Sequence, residues 1–276
     1  ERLDEKPFTL VYEEIREAYV RQHRSEKRTG SAERALKQRI AALMYKIDAN
    51  DVHREICTLN FDHLVTTNYD YALEKALGDA PGDTSGRKGE QRHSLFRYRL
   101  SANKMVWHIH GEADTPWSIC LGQDHYSGYL QRIRGTLVTS KAEAREDQNE
   151  DDRGQTPQFL LDYYHSAMID TWPLLFFAGS LDLVGFGFDY TEIDLWWLIG
   201  HRARLMAASN KQPNPLGEIT FHQFVPDKGI ESRDEARLSI LQSLGVAINR
   251  VDFKSDYREA YDKWMNRYRN KHGATP

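Results

Sequence analysis

Two short segments carry residue types that can do chemistry on a polar substrate. Thr66-Thr67-Asn68-Tyr69-Asp70 ends one β-branched, apolar run, and His108-Ile109-His110-Gly111 ends another. Asn68 can donate and accept hydrogen bonds without titrating, which suits it to hold a hydroxyl or a water. His110, with an ordinary pKa of roughly 6.5, is a natural base near neutral pH. Gly111 beside it lets a backbone or ligand approach where a side chain would block the way. Each segment also has an ordinary structural explanation. Asn and Asp favour turns, Asp70 can cap the helix that follows it, and a lone histidine beyond a strand often only packs.

The elements that would position these residues read as strand, turn and helix. His63 to Thr67 is a strand pattern that stops at Asn68 and passes into a helix former, Tyr71 to Leu77. Met105 to Ile109 is a second strand. Leu181 to Val184 is a third, leading through Gly185-Phe186-Gly187-Phe188-Asp189 into a helix over Thr191 to Met206, with a stripe of Ile193, Trp196, Trp197, Ile199 and Leu205. Helix N-termini such as the one after Gly185 and Gly187 offer free amides to phosphate or ribose oxygens. The stripe itself reads as core packing or a protomer interface. Ile219 to Val225, Ser232 to Leu244, Val246 to Val251 and Tyr257 to Tyr268 continue the alternation, and Phe8 to Arg24 and Ala32 to Ile47 open the chain with two helices. Alternation of this kind predicts an α/β fold with a mostly parallel sheet and helices on both faces. Gly78 to Glu90 is a loop, Lys141 to Gln155 is a charge-dense exposed stretch and Phe159 to Phe177 is helical, so about 120 to 178 reads as an inserted helical module. In open α/β sheets ligands bind beyond the carboxyl ends of the strands. Asn68, His110 and Gly185 each occupy such an end.

Composition removes several function classes. Over 276 residues, 40% hydrophobic and 28% charged is ordinary globular usage, and no apolar run approaches the ~18 residues a membrane span needs. A net charge of -4 supplies no field for nucleic acid, and the basic clusters at Arg21 to Arg28 and His201 to Lys211 read as solvated helix faces. Cys57 and Cys120 are too few for a disulfide scaffold or a four-cysteine zinc site, so a cytoplasmic setting is expected. His108, His110 and His125 lie near one another in sequence, but no acidic or cysteine partner has a convincing ligand spacing, and no metal is expected.

Taken together the segments resemble the sirtuin-like NAD hydrolase domain of bacterial antiphage defence effectors. The likeness runs through Thr66 to Asp70, Trp107 to Glu112, Ser118 to Gly122 with His125-Tyr126, and Gly185 to Leu198, in that order over roughly residues 60 to 205. It implies one Rossmann-like sirtuin-like domain over residues 1 to 276, whose N-terminal glycine-rich loop would lie upstream of Glu1. It implies NAD as substrate, with Asn68, His110 and Asp70 catalytic and Thr67, Gly111, Gly185, Gly187 and Asp189 binding the nucleotide. It also implies a homo-oligomer, a sensor or ATPase partner, and no direct contact with nucleic acid or membrane. The rival readings are a module that binds NAD or ADP-ribose derivatives without cleaving them, and an interaction domain that has lost its chemistry. A deacetylase is disfavoured by the cysteine count.

Overall fold

The computed structural model describes residues 6–22, 29–79, 85–87, 92–139, 169–208 and 216–273. The chain divides into two compact units, one of Glu1–Thr136 with Tyr190–Asp194 and one of Leu137–Asp189 with Leu195–Pro276.

In the first unit, helices α1 (Phe8–Gln22), α2 (Thr29–Met44) and α3 (Asp51–Cys57) precede strand β1 (His63–Thr66) and helix α4 (Ala72–Leu77). Strands β2 (Ser85–Arg87), β3 (Tyr98–Ser101) and β4 (Lys104–His108) follow, then helix α5 (Gln123–Arg134). The sheet order is β1-β4-β3-β2. β1 and β4 are parallel, while β3 pairs antiparallel with both β4 and β2. The β3–β4 hairpin turns at Ala102 and Asn103, both with positive φ (44° and 65°), as a tight two-residue hairpin requires. On the sheet Leu64 and Val106 are buried with Cys57, against Ile56, Phe61 and Leu73. A second cluster joins Tyr12 and Ala41 of the opening helices to Tyr71, Ala113, Ile119 and Leu121. That cluster holds the chain just beyond β4 in place.

The second unit contains the short helix α6 (Leu175–Ala178), strands β5 (Leu181–Val184), β6 (Ile219–Pro226) and β7 (Ala247–Phe253), and helices α8 (Ser232–Ser243) and α9 (Tyr257–His272). Its sheet is wholly parallel, in the order β5-β6-β7. Helix α7 (Ile193–Ala208) begins with Ile193 and Asp194 in the first unit and continues in the second.

The fold is therefore mixed α/β, with three parallel and two antiparallel strand pairings among the described residues. Two findings differ from the sequence reading. The strands fall into two sheets, and the antiparallel members of the first come from a hairpin whose turn carries no glycine. His201 and Arg202, expected on a solvated face, are buried. The Arg202 guanidinium donates to the carbonyls of Phe176 (3.2 Å) and Gly217, groups that burial would otherwise leave without a partner. Residues 140–168, about half of the expected helical module and all of Lys141 to Gln155, lie outside the described residues. Among the described residues no helix is long and apolar enough to cross a membrane.

The turn after β4 depends on a glycine. Gly111 has φ +104°, and a Cβ there would lie 2.7 Å from the amide nitrogen of Ile119 and closer still to the Ser118 carbonyl. Gly111→Ala is expected to lower unfolding free energy by about 3 kcal/mol, from left-handed strain and a backbone collision. Gly135→Ala, where a Cβ meets nothing within 4 Å, is expected to leave stability unchanged or to raise it by up to about 1 kcal/mol. Urea denaturation of both variants checks this; equal midpoints would contradict it.

Candidate active site

The site grows from the parallel pairing of β1 and β4. Thr66 stands opposite His108 in the register, and the amide of Ile109 donates to the Thr66 carbonyl at 3.1 Å. Asn68 and His110 thus each lie two residues beyond a paired position, at the carboxyl ends of neighbouring strands.

His108 fixes the first of these loops. Its Nδ1 lies 3.2 Å from the Asn68 carbonyl oxygen and its Nε2 2.7 Å from Glu74 Oε1, and both side chains are buried. Both ring nitrogens therefore face acceptors, an arrangement that favours the protonated ring. Burial opposes that charge more than any single group favours it, but Glu74, Glu112 and the Asn68 carbonyl together raise the pKa. The Asn68 amide donates to Thr66 Oγ1 at 3.0 Å, Asp70 Oδ1 accepts from the Ala72 amide at 2.9 Å, and the Tyr69 hydroxyl donates to the Cys120 carbonyl. Asn68 itself is exposed, and Thr67 and Asp70 are half-buried. Asp70 is thus engaged in starting helix α4, one of the two roles the sequence left open for it.

The second loop is locked from both sides. The Cys120 amide donates to the His110 carbonyl at 2.8 Å, and Ser118 Oγ accepts from the Glu112 amide at 3.1 Å. Beneath it Glu112 is buried with Arg99 (2.7 Å) and Arg97 (3.6 Å), and Arg99 also pairs with Asp114. The Arg97 guanidinium donates to the Tyr129 hydroxyl at 3.3 Å, and the Tyr129 and Tyr126 rings pack on His110 at 5.8 and 5.0 Å.

His110 is only 1% exposed, and both its nitrogens face carboxylates. Nε2 lies 2.9 Å from Asp194 Oδ2, a hydrogen bond, and Nδ1 lies 3.6 Å from Glu192 Oε2. Burial pushes the imidazole toward its neutral form, but Asp194 and then Glu192 overcome this and raise its pKa. Asp194 Oδ2 therefore accepts the Nε2 proton, and Nδ1 is the nitrogen left to take a proton from elsewhere.

His125 is a structural residue. Its Nδ1 accepts from the amides of Leu121 and Gly122, both at 3.0 Å, so the ring proton sits on Nε2, which faces Glu33 at 3.2 Å. The fully buried Lys37 lies 3.1 Å from the same nitrogen, and burial together with Arg92 lowers its pKa to about 8.

Gly185, Gly187 and Asp189 belong to the second unit. Gly185 is exposed at φ +63°, a conformation that strains a larger residue, and a Cβ there would also require the Tyr261 hydroxyl to shift. Gly187 has open space around it. Asp189 pairs with Arg233 at 3.1 Å, and its carbonyl accepts from Trp196 Nε1 at 2.9 Å. The Trp196 ring meets Phe188 edge-on at 4.7 Å, and Trp197 stacks on His201 at 4.7 Å, contacts that make both tryptophans packing residues.

The first unit thus holds Asn68, Asp70, His110 and Gly111 just beyond the ends of two neighbouring strands, and adds residues for which the sequence suggested no role: Glu74, Arg97, Arg99, Glu192 and Asp194. The only signal for the last two was a pair of acids at the start of a predicted helix, where acids are ordinary.

The profile of the SIR2-like domain matches residues 62–182, so the resemblance to a sirtuin-like domain holds over that stretch. No curated protein matches the chain. SIR2-like domains use NAD as substrate, and the matched stretch contains both Asn68 and His110.

The His108 pair makes a stability prediction. His108→Gln leaves the Glu74 carboxylate buried without a cation and is expected to cost about 3 kcal/mol at pH 6. Because the folded-state pKa of His108 is raised, its contribution is complete below the unfolded value of roughly 6.5 and fades as pH rises through the folded value. The gap between wild type and variant in urea should therefore narrow as pH rises above about 6.5. A gap that widens over this range would contradict the assignment.

Proposed function

We propose that the chain hydrolyses NAD at the nicotinamide N-glycosidic bond, releasing nicotinamide and ADP-ribose. The observation that carries this reading is the register that sets Asn68 and His110 at neighbouring parallel strand ends, inside the stretch that matches a SIR2-like domain.

Nicotinamide leaves as a neutral molecule when the bond to ribose C1′ breaks with its electron pair on nitrogen, so no general acid is needed. Positive charge develops on the ribose, and a water forms the new bond to C1′. Asn68 orients the ribose and this water, and His110 Nδ1 takes the water's proton while Asp194 holds Nε2–H in place. The carboxylates around His110 also favour the positive charge that the ring gains. Thr67 and Gly111 flank these two groups. The resemblance alone assigns Gly185, Gly187 and Asp189 to the ADP-ribose half.

Burial of His110 supports a resting form whose site opens on a trigger, as a self-toxic enzyme would need. A cytoplasmic, oligomeric antiphage effector under the control of a sensor or ATPase partner fits that restraint. The same burial favours one rival, a module that binds NAD or an ADP-ribose derivative without cleaving it.

Asn68→Ala and His110→Ala are each expected to lower nicotinamide release by at least about 100-fold, with unchanged circular dichroism. Binding of NAD with no nicotinamide released under any activating condition would favour the binding module. The raised pKa of His110 also predicts that the acid limb of cleavage has its midpoint above about pH 6.5. In Asp194→Asn that midpoint should move down. A midpoint unmoved by Asp194→Asn would remove His110 from the role of base.

A further inference from the structure

We propose that His110, Glu192 and Asp194 form a binding site for a divalent first-row transition cation of the Zn²⁺ or Mn²⁺ kind. One ligand atom from each residue lies within 4.8 Å of the other two. With metal bonds of about 2.0–2.2 Å in a tetrahedral site, two ligands of one ion stand about 3.4 Å apart, so closure asks for side-chain shifts of up to about 1.4 Å. One imidazole with two carboxylates is a donor set that suits Zn²⁺, Mn²⁺ and Fe²⁺ better than Cu⁺ or Ca²⁺.

Charge and hydrogen bonding supply a second, independent argument. The Asp194 side chain is 0% exposed, that of His110 1% and that of Glu192 14%. Asp194 Oδ2 accepts from His110, but Asp194 Oδ1 is buried and has no hydrogen-bond partner among the described residues. A buried carboxylate oxygen with nothing to accept from costs free energy that a cation would recover. Asp194 and Glu192 both face the imidazole, and a divalent ion bound by the neutral ring would be neutralised by these two carboxylates. The backbone around the ring is already fixed by the Cys120 amide on the His110 carbonyl. Three protein ligands leave an ion at least one open position.

Binding of the ion does not depend on the hydrolase reading, but its consequence does. An ion that ties His110 to both carboxylates removes the proton acceptor, so the loaded protein is the silent form.

The test is isothermal titration of Zn²⁺, and separately Mn²⁺, into the full chain stripped with EDTA. One ion per chain is expected, and its affinity should fall about 10–100-fold or more in both Asp194→Asn and Glu192→Gln. The inference is overturned if neither ion binds the wild type, or if both variants bind as tightly. Should Asp194→Asn fail to fold, judged by circular dichroism, the partly exposed Glu192→Gln decides alone. Nicotinamide release by the stripped, activated protein is followed in parallel. No release there counts against the hydrolase reading and leaves the binding result standing.

Discussion

A parallel strand pairing with a buried histidine clamped at its end governs the arrangement of the first unit's loops. Thr66 opposite His108 sets the register, and the His108 ring then reaches from the Asn68 carbonyl to Glu74. Neighbouring strands lie about 4.8 Å apart, so whatever follows two paired positions starts close together. Two residues later the chain delivers Asn68 on one strand and His110 on the other. His108 and His110 would share a face if the strand continued. It ends at His108, and the Gly111 turn gives the two rings different partners.

Buried charge is the means by which the first unit holds its loops. His108 with Glu74, Arg99 with Glu112 and Asp114, and Lys37 with Glu33 and His125 all lie on or beside the segments that carry Asn68 and His110. Such pairs add little net stability over apolar packing, but removal of one partner is severe. What they supply is a single arrangement of loops that hydrophobic contact alone would leave degenerate. The cluster around His110 sets two carboxylates against a single imidazole. That imbalance raises the basicity of the ring, and it also makes the same three side chains suited to a divalent ion.

The strands of the site were legible in the sequence because β-branched, apolar runs end in turn-forming residues, as at His63 to Thr66 and Met105 to Ile109. The β3–β4 hairpin was not, since Ala102-Asn103 lacks the glycine that usually marks so tight a turn. Helix α3, seven residues capped by Asn50, is too short to show a period. Asn68 and His110 were found by residue type and by their places after strands. Asp194 and Glu192 were not, because their partner lies more than 80 positions away and only folding joins them. Arg202 misled for the opposite reason: a cation in a basic stretch reads as solvated until the carbonyls it serves are known.

The central claim is that the ends of β1 and β4 hold the nicotinamide ribose. A crystal structure of the His110→Ala protein with NAD bound tests it most directly. Ribose density is expected within hydrogen-bonding distance of the Asn68 carboxamide, with C1′ facing the space vacated by the imidazole. NAD bound with its nicotinamide ribose away from both residues would contradict the account.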